Sequence, residues 1–184
     1  MYYVEKGASQ RASKVIYDRK YSSISMADLK DFDWDGIFSN AGWFHLTGIT
    51  PALSDNCAAI CEQACKEAKA RGIELMLDMV FNHTSTAHPW FQRALEGDPL
   101  YQSYYFFRPG KDNGAAPTNW ESKFGGSAWE YVPKLNQYYL HLFDRTQADL
   151  NWDNPEVRRE MRDIVRFWME KGVKGFRFDV VNLI

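Results

Sequence analysis

The stretch "KEAKARGIELMLDMVFNH" (residues 66–83) runs without a break from a helical pattern into an apolar, strand-like one. Upstream of it, residues 54–72 read as an amphipathic helix. Ser54 suits the N-cap, Asp55 the first turn and Gly72 the stop, while Ile60, Cys61, Ala64, Cys65 and Ala68 form one apolar stripe. Residues 73–81 are nearly all apolar, as a strand covered on both faces should be. Before the helix, "AGWFHLTGI" (41–49) is a second short apolar run bounded by glycines. Strand, helix and strand at this spacing predict a right-handed crossover unit and an α/β fold class.

Further along, "DNPEVRREMRDIVRFWMEKG" (153–172) predicts a second helix. Asp153 or Asn154 caps it, Pro155 suits its first turn, and Val157, Met161, Ile164, Val165 and Trp168 form its buried stripe. "VKGFRFDVV" (173–181) predicts another strand. Between these elements, residues 84–152 are aromatic, rich in turns and too long for a simple loop, which points to a small inserted subdomain. The strands at 43–48, 73–80 and 173–180 predict a small open parallel sheet. Its exposed edges would favour self-association.

The chain has 184 residues, enough for one domain with a sizeable core or two small ones. Hydrophobic residues make up 45% of it, which favours a packed core over disorder. A net charge of −2 predicts no general attraction to nucleic acid or to anionic membranes. No apolar run approaches the roughly 20 residues of a membrane span, and the first residues lack the layout of a signal peptide, so a cytoplasmic location is the expectation. Cys57, Cys61 and Cys65 recur every four residues on one side of a helix. Without Cys-x-x-Cys pairs or nearby histidines they read as small buried residues, and neither a metal nor a cofactor is expected.

Charged residues inside apolar strands ask for an explanation. Side chains alternate along a strand, so Arg177 and Asp179 project from one face and Phe176, Phe178 and Val180 from the other. Asp78 and Asn82 share a face for the same reason. A carboxylate in a buried strand is costly unless paired, and Arg177 can supply that pairing, which would lower the Asp179 pKa and keep it ionised and nucleophilic. Chemistry in parallel sheets gathers at the carboxyl ends of strands, where Asp78, Asn82, His83, Arg177 and Asp179 fall. The pattern alone leaves two readings open: a nucleophile held ionised, or a structural ion pair with residues that organise loops.

"DMVFNH" (78–83), "QADLNW" (147–152) and "GFRFDVV" (175–181) resemble, in order and spacing, three signature regions of the α-amylase family of glycoside hydrolases. "TNWESKFGGSAWEY" (118–131) and "YYLHLF" (138–143) look like the same family, in its oligo-1,6-glucosidase and phosphotrehalase branch. The resemblance covers roughly residues 73–184 and implies part of a (β/α)8 barrel: its third strand at 73–81, an inserted domain at about 84–146 and its fourth strand at 173–179. It also implies a site. Asp179 matches the catalytic nucleophile and Arg177 the arginine beside it. His83 matches a histidine that binds a sugar hydroxyl, and Phe124, Phe143 and Gln147 match residues lining that subsite. Asp78 matches a position of the first signature and joins the substrate-binding set. The implied ligand is a small sugar or sugar phosphate, such as trehalose 6-phosphate or an isomalto-oligosaccharide. The family's general acid, a glutamate after the fifth strand, has no counterpart in these residues, so the chain by itself is expected to be inactive.

Residues 1–72 resemble instead the middle of a 2-keto-3-deoxygluconate kinase, one of the ribokinase-like sugar kinases. The segments are "YYVEKGASQRASKVIYDR" and "DFDWDGIFSNAGWFHLTGITPALSDN". Tyr2, Tyr17 and Arg19 then fall on sugar-acid-contacting positions. Together the two resemblances predict a fusion of two incomplete enzymes, joined near "KEAKARGIELML" (66–77). A non-catalytic sugar-binding remnant and a sugar kinase fragment are the alternative functions.

Overall fold

A computed structural model describes residues 2–8 and 14–184, and it divides the chain into two compact units. The first comprises Ile16–Met79 and Ile164–Asp179 with the start of the chain; the second comprises Val80–Asp163, Val180–Ile184 and part of the N-terminal segment.

The first unit is built on the expected strand–helix–strand unit. Strand Trp43–Leu46 pairs in parallel with Glu74–Val80, Trp43 opposite Glu74 and Leu46 opposite Leu77. Strand Gly175–Asp179 lies on the other side of Glu74–Val80, which is therefore the central strand of three. Helix Asp55–Ala70 makes the crossover. Its N-cap is Ser54, whose hydroxyl accepts from the Cys57 N–H at 3.1 Å, and the chain leaves it through Gly72 at φ +69°. Cys57, Ile60, Cys61, Ala64 and Ala68 are buried, as the stripe requires. Ala68 meets Phe38 and Ile73 in a core cluster to which Trp34, Ala41 and Phe44 add their flanks. The cysteines are free thiols, and Cys57 Sγ contacts the Ile24 carbonyl at 3.0 Å. Gly175 is required by packing: a Cβ there would sit 2.9 Å from the Trp43 ring and 3.1 Å from Met76 Cε.

Burial in the central strand is lower than its composition predicts. Met79 is its one buried residue and the other apolar ones are half-buried or exposed. A sheet of three strands has little lateral cover, so a sequence suited to burial on both faces stays partly open. Helix Pro155–Glu170 behaves similarly. Asn154 caps it, its Oδ1 accepting from the Glu156 N–H at 2.9 Å, and Val157 and Met161 are buried. Further along the stripe, Ile164 and Val165 are half-buried and Trp168 is exposed.

The second unit is aromatic throughout. Strands Phe107–Arg108, Gln137–Leu140 and Trp129–Val132 form an antiparallel sheet with Gln137–Leu140 in the middle. Ala128, Trp129 and Leu140 form one core cluster there. Helix Pro89–Leu95, capped by His88 Nδ1 on the Trp90 N–H at 3.2 Å, supplies the fully buried Phe91. A separate antiparallel ladder pairs His83–Ser85 with Gln147–Asp149. This unit extends beyond the expected insertion at 84–146 on both sides. No helix among the described residues is long and apolar enough to cross a membrane.

Candidate active site

The strands deliver two groups of side chains, one in each unit. In the first unit, Asp179 is the last residue of its strand and Arg177 lies two residues before it, on the same face. Arg177 Nη2 donates to Asp179 Oδ1 at 2.6 Å. Its Nη1 donates to both oxygens of Asp78 on the neighbouring strand, at 2.7 and 2.9 Å. One guanidinium thus spans two carboxylates on adjacent strands. The Asp78 side chain is 10% exposed, that of Asp179 37% and that of Arg177 49%. Hydrogen bonding to Asp78, then the charges of Asp78 and Asp179, push the Arg177 pKa up. Arg177 meets one oxygen of Asp179, Oδ1, and not the other.

Immediately after Asp179 the backbone turns sharply. Val180 adopts φ 45° and ψ 30°, a left-handed conformation that a β-branched residue seldom takes. This turn ends the strand one residue after the carboxylate and leads into the 3-10 turn Val181–Leu183. The expected strand ran on to 181.

Removing the bridge should destabilise the fold. Arg177→Met leaves Asp78, the least exposed partner, without the Nη1 donor shared by its two oxygens. The half-exposed guanidinium is screened by solvent, so the loss should be smaller than for a buried pair. Urea unfolding should show that loss. Arg177→Lys should recover less than half of it, since an ammonium cannot reproduce the fork across two carboxylates.

In the second unit, the pairing of His83 opposite Asp149 brings the ends of two signature stretches together. His83 Nε2 lies 2.8 Å from Gln147 Nε2, and its Nδ1 lies 3.3 Å from Asn82 Nδ2. The Gln147 Oε1 accepts from the Asp144 N–H at 3.0 Å. The His83 ring is 5.4 Å from that of Phe143, which meets Phe124 edge-on at 6.0 Å. Ser122 fixes both phenylalanines: its hydroxyl donates to the Phe143 carbonyl at 2.6 Å and accepts from the Phe124 N–H at 3.1 Å. Phe124 is half exposed and, with Phe143, Trp129 and His141, lines an open cavity of about 310 Å³. All four expected subsite residues, His83, Phe124, Phe143 and Gln147, therefore form one connected cluster.

Asp149 belongs to this cluster, although the sequence pattern gave it no role. It is 3% exposed. Its Oδ1 accepts from the Leu142 N–H at 3.1 Å. Burial outweighs the favourable polar surroundings and pushes its pKa up to about 6. Asp144 is opposite in kind: Thr146 donates to it from both hydroxyl and backbone, at 2.7 and 2.9 Å, holding its carboxyl below the usual range. The alternation in "QAD" placed Gln147 and Asp149 on one face, and that was the available signal. Among the described residues no cluster of His, Cys, Asp and Glu could hold a metal ion.

The residues expected to contact a sugar acid fare differently. The side chains of Tyr2 and Tyr17 lie outside the described residues. Arg19 is exposed, and its carbonyl serves the turn before helix Ser23–Met26, accepting from the Ser22 N–H and hydroxyl at 3.2 and 2.9 Å.

Comparison with known proteins gives these groups a context. Residues 48–184 match the family described as "Alpha amylase, catalytic domain". The trehalose-6-phosphate hydrolase of Bacillus subtilis (strain 168) is 54% identical over 124 residues, which is 67% of this chain and 22% of that protein. The oligo-1,6-glucosidase of Parageobacillus thermoglucosidasius is 55% identical over 120 residues, 65% of this chain and 21% of that protein. The chain thus spans about a fifth of the length of these curated relatives. Among solved structures, the trehalose-6-phosphate hydrolase of Bacillus licheniformis superposes with a TM-score of 0.75 at 40% identity, over 91% of this chain and 34% of that one. These matches give the ribokinase-like reading of residues 1–72 no support. The family match begins at 48, upstream of the expected join at 66–77, and the structural likeness covers nearly the whole chain. A strand–helix–strand pattern is common to barrels and kinases, so it could not discriminate between them.

Proposed function

The chain belongs to the alpha-amylase family, and from that membership we propose that it supplies the nucleophile and part of one sugar subsite of a retaining glycosidase acting on α-glucosides. Trehalose 6-phosphate and isomalto-oligosaccharides are the proposed substrates, after the hydrolases and glucosidases it is similar to. The observation that carries this reading is the Arg177 bridge. It fixes Asp179 at a strand end with one oxygen tied down and the other available to attack the anomeric carbon. The aglycone then leaves, and water later releases the sugar from the covalent glycosyl ester. Asp78 is better read as the anchor of Arg177 than as a substrate contact. In the second unit, Phe124 and Phe143 offer apolar faces to a sugar ring, while His83 and Gln147 offer polar atoms to its hydroxyls.

Retaining hydrolysis needs a second carboxyl group about 5–5.5 Å from the nucleophile to protonate the leaving oxygen. The 184 residues assayed alone are therefore expected to release no glucose from p-nitrophenyl α-glucoside or trehalose 6-phosphate. Release that Asp179→Asn abolishes would overturn that expectation. Sugar binding is the more direct test. Titration with glucose should give a saturable change in tryptophan fluorescence, and Phe124→Ala should weaken it about fivefold, the equivalent of ~1 kcal/mol of aromatic contact. A flat titration into the high millimolar range would refute the subsite.

A further inference from the structure

We propose that the second unit holds two adjoining sugar subsites, so that it takes an α-glucan of at least two rings, and that Glu130 and Arg145 hold the glucan where it passes from one subsite to the other. This rests on the reading above for the first subsite, the cavity of about 310 Å³ beside Phe124 and Phe143.

A second open cavity, of about 400 Å³, adjoins it. The two share a wall, because Glu130 and Arg145 line both. One tyrosine places both wall residues. Glu130 lies on strand Trp129–Val132 directly opposite Tyr139, and the Tyr139 hydroxyl donates to the Arg145 carbonyl at 2.5 Å. The charged ends of the wall are available to a ligand. Among the described residues, neither the Glu130 carboxylate nor the Arg145 guanidinium makes a hydrogen bond or an ion pair.

A sugar ring needs an apolar surface beneath it and donors and acceptors around its edge. The second cavity supplies both. Buried Phe91 and Tyr139, with half-buried Leu95 and Val132, give it an apolar floor. Its far edge is polar. Gln92 Nε2 donates to the Thr86 carbonyl at 2.7 Å, which leaves Oε1 to accept from a hydroxyl. The Thr86 N–H donates to the Thr146 carbonyl at 2.8 Å and ties that edge to the segment carrying Arg145. On the shared wall, Arg145 offers a planar fork of N–H donors and Glu130 two acceptor oxygens. Neighbouring hydroxyls of a sugar, each both donor and acceptor, can use the two together.

The charges decide what kind of ring fits. Asp144 also lines the first cavity, and its hydrogen bonds from Thr146 hold its carboxyl in the ionised form. Two carboxylates against one guanidinium oppose a phosphate group there. Both subsites therefore take unphosphorylated rings, and any phosphate on the ligand lies outside them.

Fluorescence titration of the full 184-residue chain with glucose and with isomaltose, at pH 7.5, tests the proposal. The disaccharide should bind about tenfold tighter than glucose, the gain of hydrogen bonds to charged groups in the second cavity. Arg145→Ala and Glu130→Gln should each bring that ratio below about threefold. Equal affinity of the unsubstituted chain for the two sugars overturns the proposal, a result that needs no variant to fold. So does a tenfold ratio that neither substitution lowers. The two readings fail differently. Glucose binding without an advantage for isomaltose removes the second subsite and leaves the first, whereas no binding of either sugar refutes the first subsite and the second with it.

Discussion

Replacing Phe91 with alanine is expected to cost about 4 kcal/mol of stability, within the 3–5 kcal/mol typical of emptying a buried phenylalanine site. The residue is 2% exposed on helix Pro89–Leu95 and is the meeting point of the aromatic cluster in the second unit. Its ring centroid is 5.0 Å from Tyr105, 5.0 Å from Tyr139 and 6.1 Å from Phe107, the tyrosines edge-on and Phe107 stacked. Those neighbours cannot simply collapse into the vacated space. The Tyr105 hydroxyl shares a hydrogen bond with Thr84 at 2.8 Å, and the Tyr139 hydroxyl donates to the Arg145 carbonyl at 2.5 Å. Burial pushes both phenols up to about 12, so they remain un-ionised across ordinary pH. Urea unfolding followed by aromatic circular dichroism should show a large drop in midpoint, whereas Phe91→Leu should cost less than half as much. Equal effects of Ala and Leu would mean that the cluster is looser than its ring geometry implies.

The local features of this site were legible in the sequence, and the long-range ones were not. Alternation along "GFRFD" put Arg177 and Asp179 on one face, and they pair. Ser54 and Gly72 marked the ends of a helix whose stripe is buried. That Arg177 reaches Asp78, 99 residues away, depends on which strand lies beside which, and no local pattern encodes strand order. Asp149 was hidden for a related reason. Its burial comes from a ladder partner at His83 and a backbone donor at Leu142, and both require the second unit to be assembled. The resemblance of residues 1–72 to a sugar kinase finds no support in the comparisons, and a short apolar strand leading to an amphipathic helix satisfies many α/β folds alike. The apolar run 73–81 promised more burial than three strands can provide.

Asp149 carries the second large effect, this one dependent on pH. Its folded-state pKa of about 6 lies above the 3.8 of an unperturbed aspartate, so the folded chain holds the proton more tightly than the unfolded one. The resulting stability is fully present below about pH 4 and is lost as pH rises through about 6. At about 1.4 kcal/mol per unit, a rise of about two units amounts to roughly 3 kcal/mol lost by neutral pH. Asparagine at 149 keeps an oxygen for the Leu142 N–H and has no charge to bury, so it escapes this loss. The measurement is the unfolding free energy of both chains at pH 4 and pH 7.5. Asp144 and His88, whose pKa values lie below their usual ranges, titrate alike in both chains and cancel in the difference. Asp149→Asn should gain on the unsubstituted chain by roughly 2.5 kcal/mol between the two pH values, since an unfolded aspartate is already partly ionised at pH 4. Parallel stabilities would mean that the carboxyl ionises without cost and is better solvated than its 3% exposure implies. A positive result would show that an ionised Asp149 destabilises the fold at neutral pH, although its Oδ1 holds the Leu142 N–H at 3.1 Å.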